Sequence, residues 1–314
     1  MNLLSSLRYL VALNEHRHFG RAATACHITQ PALSNALRAL ETEFNVVIVK
    51  RDRAYAGLTP EGERVLASAQ LMLHEHAILQ QALKSEVHLP RGPLRIGAVP
   101  TAMPIVARFA AMLQARHPGI LPIVLSQSSS DLEKGLDELS IDLALGYTDR
   151  MGLKGGRLLA VPQYTEHYFL LRRAAKPGRT GLQIGEQMTW MEAAKIPLCM
   201  LTPEMHNRTI VDAAFTTLGV SVQPAIETNS ILTMALSVVA GNVCSVLPGA
   251  LVGAVRSYRE LEALPLTSPD VRTPIGFMSH SAARPSRALE AALTLARDGA
   301  LLRHAAAHSG LLVV

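Results

Sequence analysis

Four polar side chains, Gln30, Ser34, Asn35 and Arg38, follow a Thr29 that can cap a helix and a Pro31 tolerated in the first turn. Arg and Gln pair bidentately with guanine and adenine edges, and Ser and Asn suit bases or phosphates, so this face can read duplex DNA. A second set lies farther along, where segments with strand character run into helices: Thr101-Ala102, Ser128-Ser129, Met205-His206-Asn207 and Thr228-Asn229. Hydroxyls and amides beside the opening N–H groups of helices favour a small anion such as a carboxylate. Each of these residues alone is an ordinary cap or turn former, and only convergence at one cleft makes them a binding site. Enzymatic signatures are missing: the chain carries no GxSxG, GxxxxGK[ST], HExxH or CxxC, and no GxGxxG after a strand, so neither an enzyme nor a cofactor or metal is expected.

The elements that must hold these residues can be read from periodicity. Leu3, Leu7, Leu10 and Val11 recur at helical spacing, a short helix follows from Gly20, and Leu33, Ala36, Leu37, Leu40 and Phe44 form one apolar stripe behind the polar face of the third. That is a helix, a tight turn and a helix whose N-terminal half is exposed, the arrangement of a major-groove recognition helix. Val46 to Val49 then predicts a short strand, and the basic turn after it predicts a wing. Arg21, Thr29, Pro31 and Ala32, with Lys50, Arg51 and Arg53 of the wing, complete the candidate DNA-binding surface. Residues 1–53 hold seven basic residues against four acidic ones, so three of the chain's five net positive charges lie there. Phosphate neutralisation supplies most non-specific affinity for duplex DNA.

From Pro60 to about Val87, Val65, Ala69, Met72, His76, Leu79 and Leu83 step alternately by four and three, the spacing of a coiled-coil seam, which predicts a dimer. His88 to Pro93 breaks the chain. Beyond it, alternating strands and helices predict two β/α halves with a cleft between them, and ligands bind beyond the carboxyl ends of such strands. The expected strands are Leu94 to Val99, Ile120 to Leu125, Ile141 to Leu145, Tyr168 to Leu171, Pro197 to Leu201, Val222 to Thr228, Val243 to Leu247, Leu261 to Thr267 and Thr273 to Ser279, with one helix from about Ser286.

Phe19-Gly20-Arg21-Ala22-Ala23, Ile28-Thr29-Gln30-Pro31-Ala32-Leu33-Ser34, Leu40-Glu41 and Leu58-Thr59-Pro60-Glu61-Gly62 together resemble the winged helix-turn-helix of LysR-type transcriptional regulators. The motifs cover the first ninety residues; the remainder resembles the family in organisation. The resemblance implies a multidomain chain: an all-α winged helix-turn-helix at 1–59, a dimerising linker helix at 60–89, and an α/β, two-lobed, periplasmic-binding-protein-like effector domain at 90–314. In that domain lobe I takes about 92–161 and 267–305, and lobe II about 162–266. It further implies a pseudo-palindromic double-stranded operator, a small-molecule effector near Thr101, Ser128 or Ser129 and Met205 to Asn207, a dimer of dimers, RNA polymerase as a partner, and transcriptional activation.

The composition agrees with a folded chain: 314 residues, 49% hydrophobic and 18% charged, too long for one ordinary domain and too apolar for disorder. No run approaches the roughly 18 uncharged apolar residues of a membrane span, and the N-terminus lacks a signal-peptide core, so a cytoplasmic protein is expected. Cys26, Cys199 and Cys244 are read as reduced thiols. The alternative function is a thiol redox sensor that uses Cys199 and Cys244, both expected on strands of the same lobe.

Overall fold

The computed structural model describes residues 2–51, 55–84, 89–150, 158–281 and 284–309. The chain separates into two compact units, residues 1–86 with 283–286, and 87–282 with 287–314.

In the first unit, Asn2 caps α1 (Leu3–His16) by accepting from the Ser5 amide, α2 (Phe19–Ala25) follows, and Thr29 caps α3 (Gln30–Phe44) by accepting from the Ala32 amide. Leu7, Leu10 and Leu13 of α1 meet Leu33, Leu37 and Leu40 of α3 in one core. The wing is a hairpin of β1 (Val49–Arg51) and β2 (Tyr55–Leu58), paired antiparallel. Val46 to Ile48, expected in the strand, precede it: the Glu41 carboxylate accepts from the Ile48 and Val49 amides at 3.0 and 3.1 Å and holds the segment against α3. Thr59 donates to the Val47 carbonyl and accepts from the Gly62 amide, starting α4 (Pro60–Lys84) against the wing. A Cβ at Gly62 would stand 2.2 Å from the Ile48 carbonyl oxygen, so only glycine allows this approach.

Only the opening turns of α4 are held within their own unit. Val65, Leu66, Ala69 and Leu73 pack on the core, whereas Met72, Leu79 and Leu83 are exposed, Leu83 at 79%. An apolar row left uncovered over several turns is what a second helix would bury.

The second unit is built on a mixed sheet that runs from β10 (Ile226–Thr228) through β9 (Leu198–Leu201), β11 (Cys244–Pro248), β6 (Leu158–Arg173), β13 (Arg272–His280), β5 (Leu143–Tyr147) and β3 (Gly92–Ala98) to β4 (Ile120–Ser126). In lobe I, β3 (Gly92–Ala98) lies parallel to β4 (Ile120–Ser126) and β5 (Leu143–Tyr147), with α5 (Met103–Arg116) and α6 (Ser129–Asp137) as crossovers. The link to lobe II is β6 (Leu158–Arg173), a single 16-residue strand where the sequence suggested a strand only from Tyr168. Its first part pairs with β13 (Arg272–His280), and its second part with β11 (Cys244–Pro248) and β12 (Leu261–Thr267). Lobe II adds the edge strands β7 (Gln183–Ile184) and β8 (Met188–Thr189), then α7 (Trp190–Ala193), β9 (Leu198–Leu201), α8 (His206–Thr217), β10 (Ile226–Thr228), α9 (Ile231–Ala240) and α10 (Gly249–Ala254). The expected strand at Val222 forms only from Ile226, and the expected C-terminal helix is two, α11 (Arg287–Ala296) and α12 (Gly299–Ser309). Asp298 separates these two, accepting from the Ala300 and Leu301 amides as an N-cap does.

Alternation on the strands of lobe II sends Tyr168, Leu170, Leu198 and Met200 into one core, around Trp190 and Phe215, and Phe169, Leu171, Cys199 and Leu201 into another, with α9. For the thiol alternative this bears on a direct Cys199–Cys244 bridge and not on redox sensing itself. Cys244 pairs with Leu198 and Ser245 with Cys199, so the two cysteines occupy neighbouring strands but opposite sheet faces, each in a different core. They cannot close a disulfide without rebuilding the strands. Burial also pushes the Cys26, Cys199 and Cys244 thiols up, against the depressed values that make thiols reactive.

Candidate functional site

In the first unit, Leu33, Leu37 and Leu40 of the α3 stripe are buried, Ala36 is half-buried and Phe44 is exposed, while Pro31, Ala32, Asn35 and Arg38 are exposed on the opposite face. Thr29 and Gln30 are exposed at the start of the helix, and Ser34 is half-buried at its flank. Arg21 is exposed on α2, where its guanidinium donates to the His16 carbonyl at 2.8 Å. Lys50 is exposed on β1; the Arg51 side chain and all of Arg53 lie outside the described residues. The helix thus presents short polar groups and one long cation on a rigid support whose reverse side is core. This is the geometry by which a helix places side chains against base edges.

In the second unit, a narrow cleft of about 10 Å³, room for one water-sized group, is lined by Thr101, Ser128, Ser129, Tyr147, Leu201, Met205, His206 and Asn207, with Val99 and Pro100. Six of the nine residues expected at an effector site therefore converge. Ala102 does not: it is fully buried in the core of lobe I. Thr228 and Asn229 do not line the cleft either, and the Thr228 hydroxyl accepts from the Ser230 amide, a turn role.

The lining residues divide by whether their polar groups are already engaged. Ser128 is the N-cap of α6: its hydroxyl accepts from the Asp131 amide and donates to the Asp131 carboxylate at 2.6 Å. Ser129, next in the chain and 7% exposed, has a buried hydroxyl with no partner. His206 opens α8, whose N-cap Met205 offers no side-chain acceptor to the first amides. The Arg150 guanidinium donates to His206 Nδ1 at 3.2 Å and is itself held by Glu133 at 2.7 Å. Burial and the Arg150 charge hold the imidazole below its usual range, so it is neutral at pH 7. With Nδ1 accepting, the ring proton sits on Nε2, which is buried without a partner. The cleft therefore presents a hydroxyl, an imidazole N–H and an uncapped helix start, all suited to an acceptor.

Beneath this lining runs a layer of hydroxyls. Thr101 Oγ1 and Tyr147 OH are 3.0 Å apart, Asn207 Nδ2 donates to both Tyr147 OH and Tyr168 OH at 3.4 Å, and Tyr168 OH lies 3.0 Å from Thr273 Oγ1. Asn207 thereby joins a tyrosine of lobe I to a tyrosine of lobe II. Tyr147, Arg150, Tyr168 and the fully buried Glu166 escaped the sequence reading, which sought hydroxyls and amides where strands run into helices. Tyr147 and Tyr168 stand on strands, and the signal was the alternation Tyr164, Glu166, Tyr168 along one face of β6. Burial pushes the Glu166 carboxyl up to about 8, with the facing hydroxyls of Tyr147, Thr101 and Tyr168 pulling it partway back.

Two family models match the chain: "Bacterial regulatory helix-turn-helix protein, lysR family" over residues 4–63, and "LysR substrate binding domain" over residues 88–301. The chain belongs to the LysR family. It is a DNA-binding transcriptional regulator of that family, which binds DNA and forms oligomers. It is 29% identical to the DNA-binding transcriptional dual regulator OxyR of Escherichia coli K12, covering 88% of each chain, and 38% identical over 38% of its length to an SDS degradation transcriptional activation protein of a Pseudomonas species. In fold it is similar to a full-length OxyR variant of Pseudomonas aeruginosa, with a TM-score of 0.69, 24% identity and coverage of 98% of this chain and 97% of that one. It is also similar to full-length CbnR complexed with its target DNA, with a TM-score of 0.59, 18% identity and coverage of 96% and 99%. Among the described residues no helix is long and apolar enough to cross a membrane, and no group of three His, Cys, Asp or Glu could hold a metal ion.

Proposed function

We propose that this regulator senses a small organic anion in the cleft of its second unit, and that occupancy modulates operator binding or promoter activation. The observation that carries the reading is the pair of buried, unpartnered donors, His206 Nε2 and Ser129 Oγ, beside the uncapped start of α8. A carboxylate accepts from both and satisfies groups that otherwise cost of order 1–3 kcal/mol each. Thr101, Ser128, Met205 and Asn207 complete the contact set. A ligand acts only through its differential affinity for two arrangements, and a lining drawn from both lobes provides that, since closure brings the two halves onto one anion.

At the DNA, Arg21, Thr29, Gln30, Pro31, Ala32, Ser34, Asn35, Arg38, Lys50, Arg51 and Arg53 form the contact surface, with α3 in the major groove. The exposed row Met72, Leu79 and Leu83 supports dimerisation through α4 and hence a pseudo-palindromic operator. We assign residues 1–59 to the DNA-binding domain, 60–89 to the linker and 90–314 to the effector domain. A dimer of dimers, contact with RNA polymerase and a cytoplasmic location complete the reading. Several relatives are named hydrogen peroxide-inducible genes activators. Peroxide sensing by a Cys199–Cys244 pair is disfavoured by their opposite sheet faces.

The test is a thermal-shift screen of the full-length protein against small carboxylates, in which a ligand raises the melting temperature by mass action. A hit should lose its shift in Ser129→Ala and keep it in Arg38→Ala. If no carboxylate shifts the protein, or the shift survives in both Ser129→Ala and His206→Ala, the anion reading is wrong.

A further inference from the structure

The hydroxyl layer under the cleft has a carboxylic acid on its far side. In β6, Glu166 pairs with Thr273 of β13, and Tyr164 pairs with Ile275, which pairs in turn with Tyr147 of β5. Paired residues share a sheet face and alternate residues return to it, so Tyr147, Tyr164, Glu166, Tyr168 and Thr273 all project to one side. Thr101 and Asn207 close over them from the starts of two helices. Glu166 is fully buried, and neither carboxyl oxygen closes a hydrogen bond of good geometry; the Tyr164 hydroxyl beside it is also without a partner. The facing hydroxyls are already engaged, Thr101 with Tyr147 and Tyr168 with Thr273. No cation is among the groups that act on Glu166. A buried carboxylate without cationic or strong hydrogen-bond compensation is costly, so the cage favours the neutral acid.

Thr101, Tyr147 and Asn207 face the cleft and the cage at once. An anion seated in the cleft is thus separated from Glu166 by one layer of side chains in a low-dielectric interior, where two negative charges repel strongly. We infer that Glu166 is the positioning residue beneath the effector cleft, which accepts an anion only while Glu166 carries its proton, so that effector binding and proton binding are coupled. The inference rests on the anion reading above. Ionising Glu166 would also draw the Tyr147 and Tyr168 hydroxyl protons toward itself, leaving both oxygens to accept from Asn207.

The other titratable groups around the cage do not confuse the reading. Tyr147, Tyr164 and Tyr168 are pushed well above the ordinary tyrosine range by burial, and His206 is held below the ordinary histidine range. The charged groups around the cleft are Asp131, whose carboxylate accepts from Ser128, Arg208, which donates to the Leu201 carbonyl and is paired with Asp212 and Glu227, Arg150 and Glu133, paired with one another, and Asp149, which acts on His206 and Tyr168. Between pH 7 and 9 the group in the cage that changes charge is Glu166, raised by its burial to about 8.

The experiment uses full-length wild type and Glu166→Gln with acetate as the probe, followed by calorimetry at fixed ionic strength from pH 7 to pH 9. The wild-type Kd should rise about tenfold over that range, as the neutral acid becomes the minor form, while Glu166→Gln, a permanent neutral isostere, should keep the pH 7 affinity throughout. In parallel, the infrared carbonyl band of a protonated carboxylic acid should be present in wild type at pH 7, fade by pH 9 and be absent from Glu166→Gln; added acetate should delay its loss to higher pH. A flat wild-type profile, a profile shared by both proteins, a missing acid band at pH 7, or a cooperatively folded Glu166→Gln that no longer takes acetate overturns the inference alone. If acetate binds wild type at no pH while the acid band is present, the anion reading fails and the coupling falls with it.

Discussion

The exposed face of α3 and the cleft of the second unit, the two sites proposed for negatively charged partners, are assembled in opposite ways. On α3 the reading residues are consecutive turns of one helix, each with its tip in water, and their support is the apolar stripe on the same helix. In the cleft they come from strands, a short turn and two helices, spread over residues 99–207, and the tips of Ser129 and His206 are buried. Exposed cations attract a polyanion at range and lose strength with salt. Buried, unpaired donors instead wait for one small acceptor and reject what leaves them unsatisfied. On this reading the same chain pairs an exposed face, where charge attraction adds to readout, with a buried hydrogen-bonding site.

The strongest way to break this comparison is to remove the support of one region and observe the other. Leu37→Ala empties a fully buried position behind the reading face and should cost about 2–5 kcal/mol in the stability of the first unit. Operator binding by the full-length protein should collapse while the thermal shift produced by a cleft ligand persists. Loss of both together would show that the cleft depends on the folded head and that the two regions are not separately supported.

Glu166→Gln sharpens the buried side. The wild-type carboxyl is raised from 4.5 to about 8 on folding, so the folded protein keeps a proton that the unfolded chain releases. The contribution of Glu166 to stability is therefore fully present below about pH 4.5 and is lost as pH rises to about 8, at up to ~1.4 kcal/mol per pH unit. The variant should lack this slope in chemical denaturation of the second unit and should be more stable than wild type at pH 8. A wild-type slope equal to that of the variant would mean that Glu166 is ionised in the folded protein.

How much of each region was legible in the sequence follows from the same contrast. The α3 face could be read because its support and its chemistry share one 3.6-residue period, with Thr29 and Pro31 marking the start. Thr101, Ser129 and His206 could be picked out as strand-to-helix junctions, yet nothing in their neighbourhoods announces that Ser128 is consumed as a cap while Ser129 is not. Tyr147 and Glu166 were illegible for another reason. Their roles depend on β6 running unbroken across both lobes and on its register with β13, and Pro162 and the register shift between Ile275 and Gly276 disguise that strand in the sequence. Cys199 and Cys244 show the limit most sharply: placing them on strands of one lobe was correct, but a single residue of register decides which face each occupies.

Arg38→Ala tests the exposed side directly. If Arg38 reads a base, operator affinity should fall by about 1–3 kcal/mol with relaxed preference at one position; if it neutralises a phosphate, affinity should fall for all sequences and the salt slope should decrease by about one. Fluorescence anisotropy with an operator selected from random duplexes, repeated across salt concentrations, separates the two. Stability should be unchanged, since the side chain is exposed.

The smallest effect is expected from Thr101→Ala, and it bears on how the cleft reports its occupancy. Thr101 is 1% exposed, its hydroxyl is 3.0 Å from Tyr147 OH, and it stands in the turn that opens α5. Removing that hydroxyl deletes one neutral hydrogen bond, a net change of about 1 kcal/mol. The remaining donors, Ser129 and His206, do not depend on it, so a cleft ligand should still bind, several-fold more weakly. DNA affinity without ligand should match wild type, because α3 and its support are untouched. What should diminish is the change in DNA binding or transcription that the ligand produces, since Tyr147, which Asn207 links to Tyr168 of lobe II, would lose its lobe I partner. A full response with weakened ligand binding would confine Thr101 to affinity; a full response with unchanged binding would remove it from the site.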